Sequence, residues 1–435
     1  MAEGHVRRLA RNRDFTVLWV GETISQLGTA MSLFVFPLLT YALTGSAVGA
    51  GVVSAALAIG KTVTLLPAGA FVDRWPRQRV LLLASGSGAV LYASLAFAQL
   101  GGVLTVTHLA IVAFCTGVAG SFFSPAEIAA VRTVVPEADL PAAMSQNQAR
   151  MHVANLAGAP IGGALYSVAR WVPFVVDAVS YAISCVAISR IRTPLPAPER
   201  SATARRLRDD VRAGVAFVWR WPFMRVLLSN AALMNATFGA FFLVLLVRMV
   251  DAGVHPAAIG ATESAAGVAG ILGALAGPSV IERMPTGWLT IAATWALVVP
   301  IVPLVFTVDP WIVGGCLSVA MFLNPISNAG VAAYRVAVTP DELQGRSHTA
   351  MSFLATLAMP VGAPLGGTLM AAFGGQIAMA LILGLTAAGA LMLTLSRSIR
   401  SVPRPDRWRV HADRPEPTVG EFRRLTARIR ARTRQ

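Results

Sequence analysis

Glu22 stands in a long apolar run, and Ser25, Gln26, Thr29 and Ser32 follow it at steps of three and four. On a helix such steps gather the side chains on one face. Glu22 comes 22 − 15 = 7 residues after Phe15, where the run begins. At about 1.5 Å per residue this lies roughly 10 Å inside an apolar layer, too deep for the carboxylate to stretch out to water. An ionised carboxylate is costly there, so Glu22 is a candidate proton carrier; a carboxyl that only pairs with a neighbour is the alternative. Lys61 is the only lysine and lies inside the next apolar run. Counted from the helix ends, it falls within about 6 Å of the depth of Glu22 on an antiparallel neighbour. This admits a Glu22–Lys61 pair, an ammonium facing a water-filled cavity, or a site for an anionic substrate. Glu263 is a second acid in an apolar run, suited to relaying protons or meeting a cationic substrate, with an interfacial structural role as the alternative. Asp177 reads as a structural anion favoured by a helix first turn, and Arg150 as a cavity wall or a headgroup anchor.

Other chemistries lack their residues. His5, His108, His152 and His255 lie mostly near run ends and keep no recurring spacing with Ser or Asp, so no nucleophile and base are paired. Cys115, Cys185 and Cys316 fall in three different runs with no second ligand at metal spacing. Gly60-Lys61-Thr62 imitates the end of a phosphate loop, but Ala55 replaces the required first glycine. No enzyme, cofactor or metal centre is expected.

The elements that must hold these groups are membrane helices. The chain is 55% hydrophobic and 13% charged, too little polar surface to cover a soluble globule of 435 residues. About 18 or more apolar residues suffice to cross a bilayer, and twelve such spans can be drawn: 15–41, 46–72, 80–98, 105–131, 142–168 and 172–189, then 223–249, 257–281, 287–307, 311–338, 347–373 and 377–395. The net charge of +15 sits in alternate loops: Arg7, Arg8, Arg11 and Arg13 before span one, Arg74, Arg77 and Arg79 after span two, nine arginines from Arg190 to Arg225, and twelve from Arg397 onward. The opposite loops hold Arg170 and Arg248. The positive-inside rule therefore predicts an inner-membrane, multi-pass protein with both termini cytoplasmic. The basic charge is explained by topology, so no nucleic-acid partner is expected.

The chain is duplicated. Gly158-Ala159-Pro160-Ile161-Gly162-Gly163 returns as Gly362-Ala363-Pro364-Leu365-Gly366-Gly367, 362 − 158 = 204 residues later. Asp73-Arg74-Trp75-Pro76 matches Glu282-Arg283-Met284-Pro285, and Phe15 matches Phe223 at 223 − 15 = 208. Two parallel six-helix bundles follow: 1–192 and 223–396, joined by a cytoplasmic linker with an amphipathic helix at 193–222 and followed by a basic tail at 397–435. In that tail Thr418 and Glu421 have the spacing of a capping box.

Gly69-Ala70-Phe71-Val72-Asp73-Arg74-Trp75-Pro76-Arg77-Gln78-Arg79 resembles motif A of the major facilitator superfamily, and Gly-Ala-Pro-Ile-Gly-Gly in span five is similar to its antiporter motif. Leu18-Trp19-x-Gly21, Ser25-Gln26-Leu27-Gly28, Asp177-Ala178-x-Ser180 and Pro340-Asp341-Glu342-Leu343-Gln344-Gly345-Arg346 resemble the drug:proton antiporter branch with macrolide and siderophore (enterobactin) exporters. The resemblance implies an all-α membrane fold of twelve transmembrane helices in two pseudo-symmetric bundles, working as a monomer by alternating access. It implies a conformational latch of Gly69, Asp73, Arg74, Arg77 and Arg79, in which Asp73 faces the start of span eleven and the arginines pair with acids such as Glu127. Many relatives carry Asp after the glycine at Gly28, where this chain has Thr29; Glu22 would then replace that acid.

The expected function is proton-coupled efflux of a hydrophobic or amphipathic small molecule such as a drug, antibiotic or siderophore, with protons and the lipid bilayer as the other partners. A metabolite importer or uniporter, and a membrane scaffold or sensor, are the alternatives. Candidate cavity residues are Gln26, Thr29, Lys61, Asn155, Asn230, Met234, Phe238, Asn324 and Met359, since few charges and many adaptable apolar walls suit bulky ligands. Gly158, Pro160, Gly162, Gly163, Gly362, Pro364, Gly366 and Gly367 are the expected helix-packing residues.

Overall fold

The computed structural model describes residues 8–72, 74–196, 215–216, 218–339 and 341–408. Asp73, most of the linker and the tail from residue 409 lie outside the described residues, as do the linker helix and capping box expected there. The described residues are almost entirely helical: α1 Arg13–Thr44, α2 Ala47–Val72, α3 Arg77–Leu100, α4 Val106–Val134, α5 Leu140–Val168 and α6 Val172–Ser189. The second half holds α7 Pro222–Asp251, α8 Pro256–Arg283, α9 Thr286–Ala296, α10 Pro310–Val338, α11 Asp341–Thr356 and α12 Met359–Leu395.

Local sequence sets the ends. Asn12 caps α1 by accepting from the Phe15 N–H, Thr105 caps α4 through the His108 N–H, and Asp309 caps α10 through Trp311 and Ile312. Gly45 closes α1 in the left-handed region, φ 63°. Gly374, at φ 77° and ψ 163°, breaks α12 into two crossings, a conformation open in practice to glycine alone. Span nine ends differently from expectation: after Ala296 the prolines of Val299–Val305 convert the helix to a 3₁₀ turn. Among the described residues, ten stretches are apolar and long enough to cross a membrane; α5, at 29 residues, and the division of the last stretch at Gly374 make up twelve crossings.

The two halves pack by the same rule, which the repeated hexapeptide writes twice. A Cβ on Gly158 or Gly162 would run into Ala30 and Met31 of α1, whereas one on Gly163 would strike Pro256 and Ala257 of α8. In the second copy, Gly362 and Gly366 abut Ala236 and Ala240 of α7, and Gly367 abuts Ala47 and Val48 of α2. The partners reciprocate, Gly260 against Ala159 and Pro160, and Gly51 against Ala363 and Pro364. Thus two glycines of each copy seat the helix in its own bundle and the third seats it on the other bundle. Backbones approach closely enough for dispersion contacts that a side chain would prevent.

These bundle-to-bundle contacts lie toward the arginine-poor end of the helices. There Tyr41 also donates to Asp251 Oδ1 at 2.6 Å, and Ser264 Oγ donates to the Leu156 carbonyl at 2.7 Å.

Candidate functional site

In the first bundle Glu22 is 2% exposed and accepts from Ser184 Oγ of α6 at 2.6 Å. It sits there because Gly21, next to it, faces Ser184 and Ala187 with no room for a Cβ. About two turns on, Gly28 makes the same space for Asp177 and Ser180. Asp177 is fully buried, accepts from Ser32 and, at 3.0 Å, from Ser180. It is the sixth residue of α6, beyond the free N–H groups of the first turn, so hydroxyl donors and not the helix terminus hold it. Thr29 meets the Tyr181 hydroxyl at 3.0 Å, and Tyr181 stacks on Tyr92 at 5.6 Å between ring centres. The polar stripe of α1 is thus a buried contact with α6.

Glu127 and Arg150 form a second buried pair, 2.5 Å apart, supported by Asn147. Nε and Nη1 of Arg150 are buried without partners, and Glu22 lies within electrostatic reach of both members. Taken as ionised, the three groups carry one net negative charge, which a single proton would cancel. Lys61 stands apart from this set. It is exposed, and at about 100° per residue it projects on the side of α2 opposite the exposed Val52, Ile59 and Val63, toward the gap between the bundles. The expected Glu22–Lys61 pair does not form: Glu22 is bonded to Ser184, Lys61 is exposed and outside the cavity of the second bundle, and the two side chains leave their helices in different directions.

The second bundle is hollow where the first is filled. A cavity of about 380 Å³ lies among α7, α9, α10 and α12. Asn230, Met234, Phe238 and Asn324 line it, as do Asn235, Thr290, Thr294, Asn328 and Thr386, and no lining residue is charged. Of the other expected cavity residues, Thr29 is engaged with Tyr181, Gln26 is half-buried on α1, and Asn155 and Met359 are exposed outside this chamber. Glu263 borders a small void with Phe242, Leu245, Met249 and Leu317. Sequence reasoning missed Ser184, Tyr181 and Tyr92; the hydroxyls at 180 and 184, one turn apart on α6, were the available signal.

A family model described as Major Facilitator Superfamily matches residues 18–362. The chain belongs to the Major Facilitator Superfamily. Among relatives in that superfamily, a multidrug efflux pump Tap of Mycolicibacterium fortuitum is 29% identical over 363 residues, covering 80% of this chain and 87% of that protein. The multidrug efflux pump Tap of Mycobacterium tuberculosis is 26% identical over 426 residues, covering 92% and 98%. In fold, the chain is similar to an inward-facing, unoccupied bacterial homolog of the human lysosomal transporter Spinster, with TM-score 0.73, 13% identity, and 94% and 99% of the chains covered. It is likewise similar to an inward-facing bacterial homologue of the iron transporter ferroportin, with TM-score 0.69, 16% identity, and 89% and 98% covered. The superfamily's motif A occupies the α2–α3 turn. Arg74 and Arg79 are exposed there and Gly69 is half-buried. Arg77 donates to Thr133 Oγ1 at 2.7 Å and to the Ala129 carbonyl at 3.3 Å. The expected pairing of these arginines with Glu127 does not form, because Arg150 already occupies that carboxylate inside the bundle.

Proposed function

We propose that this chain exports hydrophobic or amphipathic small molecules in exchange for protons, by alternating access. The observation that carries the reading is the cluster of Glu22, Glu127 and Arg150: three ionisable groups held out of water on three helices of one bundle, where adding one proton changes the net charge from negative to zero. A charge change in a dry interior alters which helix arrangement is favoured, and that is the coupling a proton-driven exchanger requires. The relatives named multidrug efflux pump support export of drugs.

With the arginine-rich loops in the cytoplasm, the bundles meet at the outer side and the chamber lies nearer the inner side, an inward-open arrangement. Motif A would then act in the opposite, outward-open state, where Asp73 and the α11 start come together. The test supplies a fluorescent drug panel outside inverted vesicles. Glu22→Gln should abolish uptake driven by a pH gradient while the protein still folds and inserts. Full gradient-driven uptake by that variant would remove Glu22 from the mechanism, and counterflow indifferent to pH would favour a uniporter.

A further inference from the structure

Asn230 is the counterpart of Glu22: 230 − 22 = 208, the offset that relates Phe223 to Phe15. The environments correspond as well. Glu22 receives the Ser184 hydroxyl from α6, and Asn230 faces Gly389 of α12, where a Cβ would stand 3.0 Å from Asn230 Oδ1. Glycine supplies no hydroxyl, and Asn230, only 7% exposed, has its Oδ1 without a hydrogen-bond partner. A buried acceptor left in that condition is unfavourable, and a donor entering the adjoining chamber is a partner available to it.

Other groups of the wall can also accept. The hydroxyls of Thr290, Thr294 and Thr386 each donate to the carbonyl four residues earlier on their own helices, at 2.8–2.9 Å. Their single protons are spent and only lone pairs remain to face a ligand. Asn235 spends one amide proton on the Ala355 carbonyl and Asn328 spends one on Asn324 Oδ1, so each keeps its oxygen and one N–H. No cation lines the chamber to hold an anion, and no acid demands a cation.

We infer that this chamber is a binding subsite for an apolar molecule carrying an uncharged N–H or O–H donor, such as an aromatic amine, with Asn230 taking the donor that Ser184 supplies in the other bundle. Rotation of the Asn230 amide about its soft terminal torsion turns the oxygen into the chamber. The inference rests on the export reading only for the view that small molecules reach this space.

The test is equilibrium binding to the purified full chain in detergent, with no gradient present, using 1-naphthylamine, N,N-dimethyl-1-naphthylamine and 1-naphthoate as probes. The primary amine should bind about tenfold tighter than its dimethyl counterpart, which has the same rings and no N–H. Gly389→Ser places a hydroxyl against Asn230, with its Cβ displacing the end of the Met234 side chain and pressing on Leu233, and should bring that ratio close to one. Asn230→Leu should do the same, and Gly389→Ala, lacking the hydroxyl, should keep the preference. Should Asn230→Leu fail to fold, the serine and alanine variants decide between them. Equal binding of the two amines, a ratio unmoved by Gly389→Ser, or tightest binding of the naphthoate would overturn the assignment. Because no proton gradient enters the assay, such a failure leaves the export reading standing.

Discussion

The same helix positions hold a plug in one half of the molecule and a hole in the other. Between α1, α3 and α6, Phe36, Tyr92, Phe174 and Tyr181 pack together over Asp177 and its hydroxyl donors. Between α7, α9, α10 and α12 there is a chamber of about 380 Å³ lined by threonines, asparagines, Met and Phe. Duplication kept the backbone and the glycine contacts, and the two interiors then diverged in opposite directions. Buried charge needs a tightly partnered surrounding, because an unpaired ion in an apolar interior costs several kcal/mol. An adaptable ligand site needs space and uncharged polar groups. One interior cannot satisfy both, and two bundles with separate cores can.

Removing what fills the first bundle tests that division most severely. Arg150→Met leaves Glu127 buried without its ion partner and should destabilise the protein by about 3–5 kcal/mol, read as a fall in the unfolding midpoint in detergent. Tyr92→Ala should cost about 3 kcal/mol, since the ring is wholly buried among Phe36, Phe174 and Tyr181. Phe238→Ala, at the edge of the chamber and 47% exposed, should change stability by less than about 1 kcal/mol. Equal losses at Tyr92 and Phe238 would end the distinction between plug and chamber.

The shared scaffold yields a symmetric expectation. Gly163→Leu and Gly367→Leu each drive a side chain into the backbone of the opposite bundle, at a cost of about 1–3 kcal/mol. Both should cut transport by at least about tenfold through loss of close packing, measured as initial rates in vesicles. A large difference between them would show that the two seams carry unequal roles. The smallest effect belongs to the rim of the molecule. Arg8→Ala removes a pair with Asp139 in which the arginine side chain is 59% exposed, and should alter stability by about 0–1 kcal/mol.

Much of this architecture was legible in the residues. Hydropathy, the alternating arginine loops and the repeated hexapeptide led to twelve crossings in two halves, because each depends on properties local to a helix or on self-comparison. Gly158, Gly162, Gly163, Gly362, Gly366 and Gly367 lie against neighbouring backbones, and Asn230, Met234, Phe238 and Asn324 line one chamber. The pairings were harder. Lys61 matched Glu22 in depth, yet depth says nothing about rotation around the helix axis, and the two project toward different neighbours. Glu127 was matched to arginines in the nearest loop, while its partner Arg150 lies on another helix inside the bundle.

The sequence by itself determined where the chain crosses the bilayer, which loops carry the charge and which residues recur, since burial in lipid acts on each segment through its own composition. Only the tertiary structure decided which carboxylate meets which hydroxyl, and that one interior packs aromatic rings where the other encloses a chamber. Those outcomes depend on how helices distant in the chain are rotated against one another, and on the difference between Ser184 beside Glu22 and Gly389 beside Asn230. A hydroxyl absent from one helix has no visible consequence until the opposing helix places a polar atom in front of it.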